Sequence, residues 1–380
     1  MPLELRPRST EEVASELART SAAGQAVRIT GAGTKLAWGR ADGHYDTLLC
    51  TGELGRIREH NAGDLTAVLE AGVPLAEAQE RFASAGQMLA LDPWLGAERR
   101  ATVGGVLATA DSGPLSHRYG SPRDLVLGMT VVLADGTVSR SGGQVIKNVA
   151  GYDVAKLFCG SFGTLGVIAS VNVRLHPLPQ STATAIAQTG DPALLASAAR
   201  GLAVAPLELE ALDLAWENGT GRLLARCGGA SAEPRARRAA SVMSQASLTQ
   251  AEVVDDDDAL WETQRAGQRS SDGVVIRVAA RPTRLGDVLG AARSSGGRVV
   301  ARAALGQSFV TVEPEAAQAL VADLPDGAPW MLLDAPEAVR AALDPWGPTA
   351  PQAAIELMHR VKVRFDPSRT CNPGLFVGGI

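Results

Sequence analysis

The stretch AVRITGAGTK, residues 26–35, joins a short apolar strand to a loop of small residues. Ala26 to Thr30 is predicted to be the strand, and GAGTK at 31–35 follows it directly. Consecutive backbone N–H groups in such a loop can form a concave anion site, and glycine lets phosphate oxygens approach closely. Lys35 can add positive charge. Taken alone, the loop does not distinguish an anion site from a plain turn.

Two common phosphate-binding motifs are excluded by the residues that come next. A nicotinamide fingerprint needs a third glycine at the position of Leu36 and a helix that opens there. Trp38 and Gly39 interrupt such a helix. A P-loop needs Gly-Lys-Ser/Thr, and that sequence does not follow the loop. The loop therefore predicts neither a nicotinamide-binding fold nor a P-loop fold.

Three further glycine-rich segments strengthen the anion-site interpretation. They are TVGGVLAT at 102–109, GGQVIKNVAGYD at 142–153 and GSFGTLGVI at 160–168. Adjacent glycines flanked by threonine hydroxyls again offer close backbone approach and hydrogen bonds. Gly113 and Arg118-Tyr119-Gly120 lie between the first two segments. A long, diphosphate-containing ligand lying along the domain explains all four segments together.

The bulk properties bound the class of protein. The chain has 380 residues, 46% hydrophobic and 20% charged, which suits one large or two medium globular domains. The net charge of -5 argues against nucleic-acid binding, which needs a basic patch. The most apolar stretch, 125–134, is too short for a bilayer, which takes roughly 20 residues. The N-terminus lacks a signal-peptide pattern. We expect a cytoplasmic protein without direct membrane insertion, held at the inner membrane, if at all, through partners.

The four cysteines, Cys50, Cys159, Cys227 and Cys371, lie far apart in the sequence. An iron–sulfur cluster or a zinc ribbon needs closely spaced thiolates. We therefore expect free, mostly buried thiols and no cluster or metal in this chain.

Sequence periodicity predicts a mixed helix and strand order. In the first half we expect a helix over 8–23 capped by Thr10, a strand over 66–71, a helix after Pro74, a hairpin around 134–136 and a strand over 167–175. Beyond Pro179, helices are predicted near 191–202, 233–246, 284–295, 314–322 and 336–343, strands near 207–214, 222–227, 274–280, 298–303 and 308–313, and a C-terminal helix over 351–364.

These segments resemble the vanillyl-alcohol-oxidase, or p-cresol-methylhydroxylase-type (PCMH-type), family of FAD-binding flavoproteins. The carrying residues include the 31–35 loop, Thr102-Val103-Gly104-Gly105 and the two later glycine segments. The run KNVAGYD at 147–153 resembles the branch of E-type FAD-binding subunits of bacterial glycolate oxidase. The tail, with FDP at 365–367 and NPG at 372–374, is similar to the family's end.

The resemblance implies an α+β fold. Residues 1–178 would form a PCMH-type FAD-binding domain of two subdomains, about 1–60 and 61–178. Residues 179–350 would form an α/β cap, and residues 351–380 a C-terminal helix and tail that return to the FAD-binding domain.

The resemblance also implies where FAD would bind. Its diphosphate would lie on the 31–35 loop and the Thr102–Gly105 segment, and its adenine would meet the backbone of Val167 and Ile168. Lys147 would lie near the flavin ring, where positive charge stabilises reduced anionic flavin. The implied cofactor-binding residues are Gly31, Ala32, Gly33, Thr34, Lys35, Pro93, Thr102, Val103, Gly104, Gly105, Ala108, Thr109, Gly113, Tyr119, Lys147, Gly166, Val167 and Ile168.

The sequence departs from the family at two places. Covalent members carry a histidine in the first loop where this chain has Thr34, so the expected FAD is noncovalent. Catalytic relatives carry a histidine-rich cap motif that holds a divalent metal. None of the five histidines lies within 178–358, so no metal site is expected and no catalytic residue is assigned. The histidines are His44, His60, His117, His176 and His359.

Three functional hypotheses remain open. The favoured one is an FAD-binding subunit of a complex that oxidises a 2-hydroxy acid (glycolate or D-lactate), with a related catalytic FAD subunit and an iron–sulfur subunit. The second is a self-sufficient FAD-dependent oxidoreductase acting on another alcohol or hydroxy acid, with Lys147, Tyr119 or Tyr152 assisting proton transfer. The third is a non-catalytic scaffold with a vestigial flavin site.

Overall fold

The computed structural model describes residues 2–40, 43–143, 153–348 and 350–380. The chain divides into two compact units. The first contains Met1–Ser112, Tyr119–Leu178 and Thr349–Ile380, and the second contains Gly113–Arg118 and Pro179–Pro348. The short segment that carries Gly113 therefore groups with the second unit.

The strands up to residue 178 form a parallel sheet of order β1-β3-β2, an antiparallel sheet of order β4-β5-β9-β7-β8 and a small ribbon, β10-β6. The described elements, in chain order, are β1 (Leu3–Leu5), α1 (Thr10–Ala22), β2 (Val27–Thr30), β3 (Thr47–Cys50), β4 (Ile57–Asn61), β5 (Thr66–Glu70), α2 (Leu75–Ala83), β6 (Gln87–Met88), α3 (Val103–Thr109), α4 (Ser116–Tyr119), β7 (Val126–Val132), β8 (Val138–Gly142), α5 (Ala155–Phe158), β9 (Val167–Arg174) and β10 (His176–Pro177).

Helix α1 supplies one side of the core of the first unit. Its N-cap is Ser9, whose hydroxyl accepts a hydrogen bond from the Glu12 backbone N–H at 3.1 Å. The prediction that Thr10 is the cap was therefore wrong, because Thr10 is already helical and buried. Val13 and Leu17, one turn apart, are fully buried in a cluster that includes residues of β2, β3, β7 and β9.

The antiparallel sheet contains the predicted hairpin. Strands β7 and β8 pair from Val132 opposite Val138, and the connecting turn at 134–136 is confirmed. Gly136 has a φ of 84°, and a Cβ there would lie 2.7 Å from the Ala14 carbonyl oxygen. This turn packs so closely on α1 that it accepts glycine alone. Strand β5 is buried along its whole length.

The C-terminal helix, α12 (Gln352–Phe365), matches the predicted 351–364 to within one residue. Its Lys362 is only 3% exposed. The ammonium group donates to the Asp366 carboxylate at 2.6 Å and to the carbonyl oxygens of Thr164 at 2.6 Å and Cys371 at 2.8 Å. All three ammonium protons are therefore satisfied, as a buried charge requires. This one side chain connects the helix to the tail and to the turn before β9.

The second unit is built on an antiparallel sheet of eight strands, in the order β14-β11-β13-β12-β16-β17-β15-β18. Its core consists mainly of alanine, leucine and valine side chains from the sheet and from the helices packed on it. Its described elements are β11 (Thr182–Thr189), α6 (Pro192–Val204), β12 (Ala211–Glu217), β13 (Thr220–Gly228), α7 (Ala232–Gln245), β14 (Thr249–Val254), α8 (Asp258–Ala266), β15 (Val274–Ala279), α9 (Leu285–Ser294), β16 (Arg298–Arg302), β17 (Gln307–Val312), α10 (Ala317–Asp323), β18 (Trp330–Asp334) and α11 (Glu337–Ala342).

Most predicted elements of this unit are present, but β11, β14 and β18 were missed. The sequence of β11, TATAIAQT, contains one large apolar side chain, so its hydrophobic pattern is weak. The strand is held by its pairing with β13 and β14, which a local pattern does not show. The strand predicted at 207–214 begins only at Ala211. Glu208 has a φ of 48°, a left-handed conformation that interrupts an extended chain.

Candidate cofactor-binding cleft

A cleft that is partly open to solvent lies in the first unit. Its walls come from β2 and the loop after it, from α3, from the turn that leads into β9, and from the C-terminal tail. Most of the residues predicted from the sequence meet in this cleft. They are Gly31, Ala32, Gly33, Thr34, Lys35, Thr102, Gly104, Gly105, Ala108, Thr109, Gly166 and Ile168.

The first wall is the 31–35 loop. A Cβ on Gly31 would lie 2.2 Å from the Thr102 hydroxyl oxygen, so a side chain at residue 31 would collide with α3's cap. Gly33 has a φ of 77°, which favours glycine. Residues 31–40 form bends and turns rather than a helix, in agreement with the exclusion of a nicotinamide fingerprint. Glycine at residue 31 therefore lets the loop pack directly on the cap of α3 beside the cleft.

The second wall is the segment that the sequence analysis identified by its paired glycines, and it folds as the short helix α3. Thr102 caps it, since its hydroxyl oxygen accepts from the Gly105 N–H at 3.2 Å. A Cβ on Gly104 would lie 2.6 Å from the Ala71 Cβ, so glycine allows α3 to pack directly on the chain after β5. Thr109 donates its hydroxyl to the Gly105 carbonyl oxygen at 2.8 Å.

Two cations line the cleft on β2 and the loop after it, and their surroundings differ. The Lys35 ammonium is 3.3 Å from the Asp111 carboxylate, and both side chains are only 6% exposed. It also lies 5.7 Å from the centre of the Trp38 ring. Arg28, which sequence reasoning missed, lines the same cleft and donates from Nη2 to the Leu36 carbonyl oxygen at 2.8 Å. The charge expected of Lys35 is thus already compensated by a carboxylate.

The third wall is the turn that enters β9. Gly166 has a φ of 146°, and a Cβ there would lie 2.6 Å from the Val132 carbonyl oxygen. Ile168 lines the cleft, whereas the Val167 side chain is fully buried in the core. Successive strand residues point to opposite faces, so only one of the two predicted neighbours can direct its side chain into the cleft.

The fourth wall is the C-terminal tail. The Asn372 side chain accepts from the Ile29 N–H at 2.7 Å and donates to the Phe162 carbonyl oxygen at 2.6 Å. Its backbone N–H donates to the Val27 carbonyl oxygen at 2.9 Å. Asn372 and Leu375 both line the cleft. Sequence reasoning identified the NPG tail but did not assign Asn372, because its partners lie about 200 and 340 residues away along the chain.

The remaining predicted residues lie elsewhere. Pro93 and Val103 are buried. Gly113 belongs to the second unit, and Tyr119 packs against His176 with ring centroids 4.6 Å apart. Lys147 lies outside the described residues, as does Tyr152.

Comparison with known families shows which proteins the first unit resembles. Residues 2–142 match the family described as "FAD binding domain". This stretch, a little over a third of the chain, is similar to that family. It contributes the glycine loop and α3, and the later turn and the tail complete the cleft from outside the matched stretch.

Curated relatives of the chain include oxidoreductase subunits. Glycolate oxidase subunit GlcD of Bacillus subtilis is 33% identical over 183 residues, which are 48% of this chain and 38% of that protein. Glycolate oxidase subunit GlcE of Escherichia coli is 38% identical over 126 residues, 33% of this chain and 36% of that protein. D-lactate dehydrogenase of Archaeoglobus fulgidus is 36% identical over 173 residues, 46% of this chain and 38% of that protein. The matches thus span well under half of each relative.

Solved structures share the fold over nearly the whole chain. An alkyldihydroxyacetonephosphate synthase superimposes with a TM-score of 0.70 at 15% identity, covering 97% of this chain and 76% of that one. A glucooligosaccharide oxidase of Acremonium strictum gives 0.70 at 15% identity, covering 99% and 91%. At this identity the likeness concerns the fold alone. The predicted α+β, PCMH-type fold is confirmed.

Two features are absent from the part of the chain that the structure describes. Within it, no helix has the length and apolar character needed to cross a membrane. The same residues contain no group of three or more His, Cys, Asp or Glu side chains placed to hold a metal ion.

Proposed function

We propose that this chain binds FAD noncovalently along the cleft and serves as the FAD-binding subunit of a complex that oxidises glycolate or D-lactate. The observation that carries the proposal is the glycine-lined wall of the cleft. Gly31 and Gly104 line the cleft, and glycine at both residues lets the loop and α3 pack against Thr102 and Ala71, where a Cβ would collide. Anionic diphosphate is the kind of group that the backbone N–H groups of such a glycine loop bind.

The roles of the residues follow from their positions. The 31–35 loop and the Thr102–Gly105 segment would hold the diphosphate, and Ile168 would cover part of the cofactor. Asn372 would fix the distance between β2 and the turn at Phe162, since it bonds to both. When bound, FAD supplies the two-electron acceptor for oxidation of an alcohol carbon. The protein's part is to orient this group and to exclude water from it.

Noncovalent attachment is supported by the composition of the cleft. Its described lining contains neither histidine nor cysteine, and Thr34 lies in the loop where covalent family members carry histidine. A threonine hydroxyl does not replace an imidazole or a thiolate as the point of attachment to flavin. The direct test is acid precipitation of the yellow protein: free FAD should remain in the supernatant, and flavin in the pellet would refute this part of the proposal.

The subunit role is supported by the relatives and by residues the chain lacks. GlcD and GlcE are by name subunits of glycolate oxidase. In this chain all five histidines lie outside 178–358, where catalytic members of the resembled branch hold a metal. We therefore propose that a related catalytic FAD subunit oxidises the 2-hydroxy acid and that an iron–sulfur subunit takes the electrons onward.

The deciding experiment is a visible absorbance spectrum of the purified chain, before and after anaerobic addition of glycolate and of D-lactate. We expect oxidised flavin bands that persist with either acid and bleach when the partner subunits are added. A colourless chain that takes up no added FAD would refute FAD binding and favour a scaffold. Bleaching by the chain alone would refute the subunit role and favour a self-sufficient oxidoreductase.

A further inference from the structure

The cleft has two cations on β2 and the loop after it, and only one of them lacks a carboxylate partner among the described residues. Lys35 forms its ion pair with Asp111 deep in the protein. Because the two opposite charges lie 3.3 Å apart, the pair has no net charge to offer a ligand. The charge that an anion would meet must come from another residue.

Arg28 has the features of that other residue. It lies on β2, three residues before Gly31, and lines the cleft. No carboxylate of the described residues forms an ion pair with it, and burial lowers its pKa. A guanidinium nevertheless stays charged in proteins and carries five N–H donors. One donor is used by the Leu36 carbonyl oxygen, so the geometry leaves others for a ligand.

The hydrogen bond to Leu36 fixes where this charge lies. Leu36 donates its backbone N–H to the Gly33 carbonyl oxygen at 3.3 Å, which closes the turn of the glycine loop. Arg28 therefore holds its guanidinium against the same glycine loop, which lines the cleft. Arginine binds phosphate oxygens through two parallel hydrogen bonds, which a lysine cannot do.

We propose that Arg28 binds the diphosphate of the dinucleotide, and that Lys35 and Asp111 form a neutral anchor for the loop. This inference rests on the proposed function, because FAD is the source of the diphosphate. It places the contact with the diphosphate on Arg28, which lies outside the 31–35 loop, rather than on Lys35, which lies within it.

The test measures binding of FAD and of ADP to the apo chain, by flavin fluorescence and by competition. Loss of charge-assisted hydrogen bonds predicts that Arg28→Met weakens both ligands about 10- to 100-fold. Arg28→Lys should lie between. Arg19→Met removes an arginine from a half-exposed ion pair on α1 and should leave both affinities unchanged.

A second readout separates a ligand contact from support of the loop. Each phosphate contact makes binding weaker as salt increases. The salt dependence of FAD affinity should therefore become shallower in Arg28→Met, and equally so in Arg28→Gln, which keeps a donor for Leu36. An unchanged salt dependence, or a loss confined to FAD with ADP unaffected, would overturn the assignment.

The outcome is distinguishable from failure of the proposed function. If the unaltered chain binds neither FAD nor ADP, the proposed function fails first. If it binds both and Arg28→Met binds them equally well, only the inference fails. Circular dichroism and thermal unfolding of the apo variants establish that each variant is folded. If Arg28→Met does not fold, the affinities of Arg28→Lys for FAD and ADP still test the inference.

Discussion

Glycines of the cleft differ from some glycines elsewhere in the chain in the space that a side chain would have. A Cβ on Gly31 would meet the Thr102 hydroxyl oxygen at 2.2 Å, a separation that atoms do not adopt without movement. A Cβ on Gly63 would meet nothing within 4 Å. Neither residue has a positive φ, so the difference between them is one of space rather than of backbone conformation.

Gly31→Ala should therefore be far more damaging than Gly63→Ala. Overpacking of a filled site costs about 1–3 kcal/mol, so we expect a loss of that size in the free energy of unfolding. FAD affinity should fall as well, because α3 and the loop are forced apart at the cleft. Urea unfolding and FAD titration of both variants measure the two effects.

Truncation of the clashing side chain supplies the control. In Gly31→Ala/Thr102→Ala, the nearest remaining atom at residue 102 is the Cβ, at 3.3 Å. Loss of the cap costs about 1 kcal/mol, but the clash is relieved, so the double variant should be more stable than the sum of the single changes. Additive losses would show that Thr102 does not set the space at Gly31.

The same scale shows what the sequence could and could not predict about the site. Gly31 and Gly104 were predicted because close backbone approach requires a residue without a side chain, and glycine pairs are visible in any sequence. Asn372 was missed because its role depends on contacts with residues far away in the sequence. Arg28 was missed because a single arginine within a strand does not indicate that it lines a cleft. Lys35 was predicted as a charge for the ligand, and only the structure reveals its pairing with Asp111.

At the scale of elements, the C-terminal helix and the tail depend on one buried ion pair. The side chains of Lys362 and Asp366 are 4% and 0% exposed. The Asp366 carboxylate also accepts hydrogen bonds from the backbone N–H groups of Thr370 and Cys371. This carboxylate therefore shapes the turn that returns the tail towards β2, where Asn372 reaches the cleft.

Lys362→Met should destabilise the tail strongly. It leaves the Asp366 charge buried without its cation, and breaking a buried pair costs about 3–5 kcal/mol. Arg360→Met, on an exposed position of the same helix, removes the same charge as a control. We expect the first variant alone to unfold at lower urea and to lose FAD affinity through displacement of Asn372. Equal stabilities would show that the pair does not hold the tail.

Helices and strands were predicted well where apolar residues recur in the sequence at the spacing of that element. Strand β9 and helix α12 have apolar side chains spaced for one buried face, so both were located closely. Strand β14 is an edge strand with mostly exposed or half-exposed residues, and its sequence, TQAEVV, has little alternation. Such a strand is fixed by hydrogen bonds to its neighbour β11, which a local sequence pattern does not contain.

At the scale of the whole molecule, the walls of the cleft come from widely separated parts of the chain. The loop, α3, the turn before β9 and the tail occupy residues 28–38, 102–109, 162–168 and 372–375. A ligand that binds only the folded cleft must stabilise all four together, by about 2.7 kcal/mol at a concentration 100 times its Kd. This coupling is a property of the fold and not of any one motif.

Amide hydrogen exchange with and without FAD tests that coupling. Protection by about 2.7 kcal/mol corresponds to exchange about 100-fold slower wherever local opening breaks the cleft. We expect slowing in peptides that cover the loop, α3, the turn before β9 and, most tellingly, residues 370–375. Strand β13, hydrogen-bonded on both sides within the eight-stranded sheet, is the internal reference. If bound FAD slows exchange in the loop but not in the tail, the tail is not a wall of the cofactor site, because a wall cannot open while its ligand stays bound.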